Sequence, residues 1–138
     1  MNLIPHPNFS SSLVSEFNQA LLRLKGSVSD LSIACVATRD GFEIARLSSD
    51  SDQRKLAAMA SSMHALGDAI AAEAALGVCR NVIIEGSSGK AVMLTVPDAA
   101  ANKVLIAAAS SDTNLAMLLI SSRTCCEQLA AASSRNVS

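Results

Sequence analysis

The sequence predicts one α/β (α+β) domain, a single five-stranded antiparallel sheet sandwiched by helices, in the order αββαβββα. Three observations predict it. The segments CVATRDGFEIA and NVIIEGSSGKAVMLTV each hold two β-rich runs joined by a short glycine-containing turn, the pattern of an antiparallel hairpin. Other segments repeat apolar residues three and four apart, the period of an amphipathic helix. Finally, 138 residues with no linker, internal repeat or break in composition suit one core.

The elements follow in order. After a lead-in containing Pro5 and Pro7, Leu13, Phe17, Leu21 and Leu24 form one helical stripe between Ser10 and Lys25, and Gly26 stops it. Leu31 to Thr38 is a β-rich run, and Asp40-Gly41 leads into FEIARL, which predicts a type I′ hairpin turn. Ser51 to Leu76 is a long alanine-rich helix with Ser51 and Asp52 as capping candidates and Gly77 as its end. CRNVIIEG and KAVMLTV are strands around a turn at Ser87 to Gly89, and Pro97, which has no N–H for a ladder, closes the second. A third strand runs from about Lys103 to Ala109, and Asp112 caps a last helix reaching about Ala131. The domain is thus expected over 10–132, with 1–9 an extension and 133–138 a disordered tail.

The middle helix carries two apolar stripes. At 100° per residue, Leu56, Met59, Met63, Leu66 and Ile70 share one arc, while Ala58, Ala65, Ala69, Ala72 and Leu76 share another. The large residues are expected to face the sheet, and the small ones to admit a second helix closely. Ser61, His64 and Asp68 then form a solvent strip. A second copy is the simplest cover for the alanine face, and the lightly charged strand holding Val82, Ile83 and Ile84 offers an edge for its twin. Those eight residues, Ala58, Ala65, Ala69, Ala72, Leu76, Val82, Ile83 and Ile84, are the expected homodimer interface. On this reading Ala65→Arg yields a monomer or an aggregate.

Composition excludes several classes. Eleven basic and twelve acidic side chains give a net charge of -1, and Trp and Tyr are absent, so neither a phosphate-gathering field nor a base-stacking platform exists for nucleic acid. The first residues lack a secretory pattern, and no run reaches the roughly 18 apolar residues that span a bilayer, so a cytoplasmic protein without membrane insertion is expected. Cys35, Cys79, Cys125 and Cys126 show no Cys-x-x-Cys and stand far from His6 and His64, so core thiols are expected and no metal.

Chemistry is equally sparse. Gly86-Ser-Ser-Gly89-Lys90 has two residues between its glycines where a phosphate-binding loop has four, lacks Ser or Thr after the lysine, and opens a strand, so it reads as a β-turn. His64 and Asp68, four apart, read as a solvated helical pair, and no nucleophile motif points at them. No enzyme activity, catalytic residue or cofactor is expected.

With the hairpin ACVATRDGFEIA, the long alanine-rich helix and the strand pair NVIIEGSSGKAVMLTV in that order, the sequence resembles the roadblock (dynein light chain) family in its bacterial form. The resemblance implies a profilin-like sheet sandwich and dimers made through the middle helix and an adjacent strand. It also implies function: bacterial relatives bind or regulate small Ras-like GTPases, and eukaryotic ones are dynein subunits or signalling scaffolds. The expectation is therefore a non-catalytic homodimeric adaptor that binds a small GTPase and modulates its nucleotide state or localisation. A scaffold subunit of a motor or signalling complex is the alternative. Arg39, at the first turn, is read as a solvent-exposed turn residue rather than an arginine finger.

Overall fold

The structure, a computed structural model, describes residues 9–47, 54–98 and 102–136. Its elements are α1 (Ser11–Ser27), β1 (Leu31–Thr38), β2 (Glu43–Arg46), α2 (Arg54–Glu73), β3 (Asn81–Glu85), β4 (Gly89–Thr95), β5 (Lys103–Ser110) and α3 (Leu115–Arg135). The expected order αββαβββα is the observed one. All strand pairs are antiparallel in one sheet of order β2-β1-β5-β4-β3, so β3 and β2 are its edges.

Alternation along the strands divides the core into two layers. Val92 and Leu94 of β4 and Leu105 of β5 join Phe17, Leu21 and Leu24 of α1 and Leu118 and Leu129 of α3 in the larger cluster. Met93, Val104 and Ile106 point the other way and join Cys35, Ala37, Ala57 and Ala60 in a smaller one beneath α2. The helix pair on the first face runs antiparallel. Arg23 Nε donates to Gln128 Oε1 at 3.0 Å near one end, and Arg135 Nη2 donates to Glu16 Oε1 at 2.7 Å near the other. Hydrogen bonds from Arg135 and then Asn136 hold the Glu16 carboxyl below its usual pKa.

Local details depart from expectation. The first hairpin is not type I′. Gly41 has φ +100° but Asp40 does not have positive φ, and Gly41 N–H donates to Thr38 O at 3.0 Å, so Arg39, Asp40 and Gly41 make a three-residue connection with the glycine carrying the unusual conformation. Asn114, not Asp112, caps α3: its side chain accepts from Met117 N–H, two residues later than expected. That helix also continues to Arg135, so Ser133, Ser134 and Arg135 are helical rather than part of a tail, and Ser133 is buried. α1 is capped by Ser10, which accepts from Leu13 N–H at 3.1 Å. The capping candidates Ser51 and Asp52 lie outside the described residues.

The largest correction concerns the orientation of α2. Met59, Met63, Leu66 and Ile70 are exposed, and the side facing the sheet is small and polar: Ala57, Ala60, Ser61, His64 and Ala71 are buried. Of the residues expected against the sheet, Leu56 alone packs there, half-buried. Ser61 and His64 are therefore interior rather than solvent-facing. The reason is distance. A Cβ added to Gly67 would stand 3.0 Å from Cys79 Sγ and from Val82 Cγ2, and one on Gly41 would stand 3.3 Å from Ala58 Cα. The helix lies so close to the sheet that only small side chains fit between, and Met93, Val104 and Ile106 supply the bulk from below.

Candidate interaction surface

α2 is pinned by polar contacts at its base. Ser61 Oγ donates to Thr38 O at 2.8 Å, His64 Nε2 lies 2.6 Å from Thr95 Oγ1, and Arg39 pairs with Asp68. Burial holds the His64 imidazole below its ordinary pKa, Asp68 pulls it upward, and Arg39 acts with the burial. The pair read as solvated is thus a packed one, and the exposed Arg39 is an ion-pair partner.

With that base fixed, the outward side is apolar. Met59, Met63, Leu66 and Ile70 recur at spacings of four, three and four, a heptad seam. Gly67 stands against β3 and lies on the helix between the seam and the sheet, so the seam occupies the β3 flank. Ala58 stands over Gly41, which puts Ala58, Ala65, Ala69 and Ala72 on the flank toward the β1–β2 turn, all exposed. Below the seam, among the described residues, β3 pairs with β4 on one side only and no strand pairs with its other edge. Val82 is half-buried against the smaller cluster, whereas Ile83 and Ile84 are exposed. The connection from α2 to β3 adds Leu76, 72% exposed, and Val78, 85% exposed. These exposed apolar side chains lie on three successive elements of the chain: α2, the connection after it, and β3.

All eight residues expected in the interface therefore lie on the outer side of α2, on its following loop, or on the edge strand. Met59, Met63, Leu66, Ile70 and Val78 were not among them. The heptad spacing of the first four was available in the sequence, but a seam facing a sheet and one facing outward have the same spacing.

Other features carry little chemistry. Gly86–Gly89 is a hairpin turn, closed by Gly86 N–H donating to Gly89 O at 2.8 Å, and Lys90 Nζ is engaged by Ser111 O and Thr113 O. An open groove of about 460 Å³ lies beside it on the sheet, lined by Ser32, Ile84, Ala91 and Ala108 among others. Burial pushes the Cys35 and Cys125 thiols up to about 12 and raises Cys126 as well, as suits core thiols. Cys79 is half-buried. Among the described residues no group of His, Cys, Asp and Glu is placed to hold a metal, and no helix is long and apolar enough to cross a membrane.

The architecture defines a class: a small α/β sandwich in which the edge strand β3 lies beside an apolar helix face. Residues 17–108 match the Roadblock/LC7 domain, and the chain belongs to that family. Among solved structures, it is similar to Myxococcus xanthus MglB, at 16% identity and TM-score 0.81 over 94% of this chain and 96% of the other. The gliding protein MglB of Thermus thermophilus is similar at 13% identity and TM-score 0.80, over 96% and 99% of the two chains. A Roadblock/LC7 domain from Streptomyces avermitilis is similar at 19% identity and TM-score 0.77, over 85% and 97%. No curated protein sequence matches the chain.

Proposed function

We propose that this protein is a cytoplasmic, non-catalytic adaptor that forms a homodimer through α2 and the β3 edge, binds a small Ras-like GTPase and modulates its nucleotide state or localisation. The observation that carries the dimer is the heptad seam of Met59, Met63, Leu66 and Ile70 lying exposed beside a strand edge that no other described strand pairs with. A twofold axis that sets two α2 helices antiparallel brings Met59 against Ile70 and Met63 against Leu66 of the second copy, and the exposed Lys55 alongside its Glu73. Val82, Ile83 and Ile84 extend the contact along β3, and Leu76 borders it. Ala58, Ala65, Ala69 and Ala72 complete the outer surface of α2 on the other flank.

The GTPase reading is supported by membership of the Roadblock/LC7 family and by the likeness to MglB, the gliding protein of Thermus thermophilus. Its test is capture of partners from the source lysate on the purified chain, in parallel with GDP and a non-hydrolysable GTP analogue. Enrichment of a small GTPase in one nucleotide condition is the expected result. A stable partner indifferent to nucleotide replaces the regulator reading with the scaffold one.

A further inference from the structure

α2 crosses its face of the sheet from one side to the other. Ala58 stands over Gly41 in the β1–β2 turn, Ser61 Oγ donates to Thr38 O on β1, His64 meets Thr95 on β4, and Gly67 stands against Val82 on β3. Because β3 is the last strand on that side, the helix beyond Gly67 runs past the edge of the sheet. At a rise of about 1.5 Å per residue, the stretch from Gly67 to Glu73 carries it about 9 Å further, roughly two strand spacings. Ala71 is the last buried residue of α2, and every residue from Ala72 to Val78 is exposed. Ala75, at φ +58°, closes the helix in the left-handed conformation, and Leu76 N–H donates to Ala71 O at 2.7 Å, which fixes where Leu76 leaves it. This overhang carries a single charge, Glu73, among alanines, Leu76 and Val78.

The same face of the sheet is open on the other side of the helix. Cys35, Ile106, Met93 and Val82 form one row across β1, β5, β4 and β3, and α2 packs on it. The neighbouring row on that face is Ile33, Ala108, Ala91 and Ile84. Its first three residues are half-buried, Ile84 is exposed, and the groove of about 460 Å³ opens over Ala108, Ala91 and Ile84. The backbone also sets how the β3 edge can be paired. Gly86 N–H donates to Gly89 O and Val96 N–H to Lys103 O, so the odd-numbered residues of β4 bond to β3 and the even-numbered ones to β5. Val82 and Ile84 thus turn their backbone groups toward β4, and Asn81, Ile83 and Glu85 turn theirs outward. An antiparallel twin must meet outward groups with outward groups. The register that uses all five residues sets Ile83 opposite Ile83, Val82 opposite Ile84 and Asn81 opposite Glu85.

We propose that the α2 overhang of each copy, with Leu76 and Val78, seats on the open Ile84–Ala91–Ala108 row of the other. The seating rests on the homodimer proposed for this chain and adds to it a register and a receiving groove. The twofold axis through the Ile83 pair stands perpendicular to the sheet, so both α2 helices lie on one face. With Val82 opposite Ile84, the row under α2 of one copy continues as the open row of the other. A helix that follows its own row past the edge is thereby carried over its neighbour's groove, where the small side chains of Ala91 and Ala108 admit it closely. One operation covers both the unsupported helix end and the bare half of the sheet.

The test uses the full-length chain, with sedimentation giving its oligomeric state. In dimers mixed from 13C-labelled and unlabelled chains, isotope-filtered NOE spectra report contacts between copies. The expected result is a cross-copy contact between the Ala91 methyl and the Leu76 methyls. Hydrogen exchange across Asn81–Glu85 is expected to be about tenfold or more slower above the dimer Kd than below it. Leu76→Ser, in the exposed connection, is expected to raise Kd by about tenfold or more without changing the circular dichroism spectrum. A dimer with cross-copy contacts from Met63 and Leu66 but none from Leu76, or one whose Leu76→Ser variant keeps Kd within about twofold, overturns the seating while the homodimer stands. Exchange across Asn81–Glu85 that is equally fast in dimer and monomer overturns the register. A chain that sediments as a monomer throughout overturns the seating and the homodimer together.

Discussion

Truncating Leu66 to alanine tests the heptad seam most directly. Leu66 exposes 53% of its surface in the single chain and belongs to neither core cluster, so its truncation leaves the protomer intact. Burying a whole leucine side chain contributes about 1.5–3 kcal/mol, so covering the exposed half contributes about 1 kcal/mol. Twofold symmetry uses the residue twice, once from each copy. Leu66→Ala therefore costs about 2 kcal/mol of dimer free energy, about a 30-fold rise in Kd. Sedimentation equilibrium over a concentration series measures the Kd, and circular dichroism melting checks the fold. Leu22→Ala on α1 is the matched control, because Leu22 is 61% exposed and far from the seam; its Kd stays within about twofold of wild type. The reasoning is refuted if Leu66→Ala stays within about threefold of wild type, if Leu22→Ala weakens the dimer as much, or if the wild-type chain is monomeric throughout.

Further outcomes follow from the packing. Gly67→Val costs about 1–3 kcal/mol in urea denaturation despite its better helix propensity, because its branches drive into Cys79 and Val82; a stabilised variant would show that α2 can lift off without cost. Ser122 Oγ is buried without a hydrogen-bond partner among the described residues, so Ser122→Ala is neutral or stabilising by about 1 kcal/mol, and a loss of that size in the melting experiment contradicts the side-chain placement. A disulfide reagent at about pH 8 modifies Cys79 in the folded chain and reaches Cys35, Cys125 and Cys126 only on unfolding; fast reaction of Cys125, whose pKa is pushed up to about 12, counts against the packing of α1 on α3.

Much of the fold was legible from residues alone, because local chemistry specifies it. Phe17, Leu21 and Leu24 can be apolar together on one helix face only if that face is covered, and all three are buried. Asp40-Gly41 and Gly86–Gly89 could only be turns between β-rich runs, although the turn type at Gly41 depended on backbone angles that the dipeptide alone does not specify. The P-loop reading of Lys90 failed on spacing, and its ammonium is engaged by two loop carbonyls.

The composition and periodicity of this chain determine its element order, its single sheet and the presence of two apolar stripes on α2. Which stripe meets the sheet was decided only in three dimensions. Periodicity reports that a face is apolar, not what lies opposite it, and the bulk of Met93, Val104 and Ile106 below α2 leaves room for Ala57, Ala60 and the His64 ring but not for a row of methionines. The same close approach buries His64 beside Arg39 and Thr95, residues 25 and 31 positions away in the chain. No local signal could pair them, because tertiary packing alone brings them within hydrogen-bonding distance.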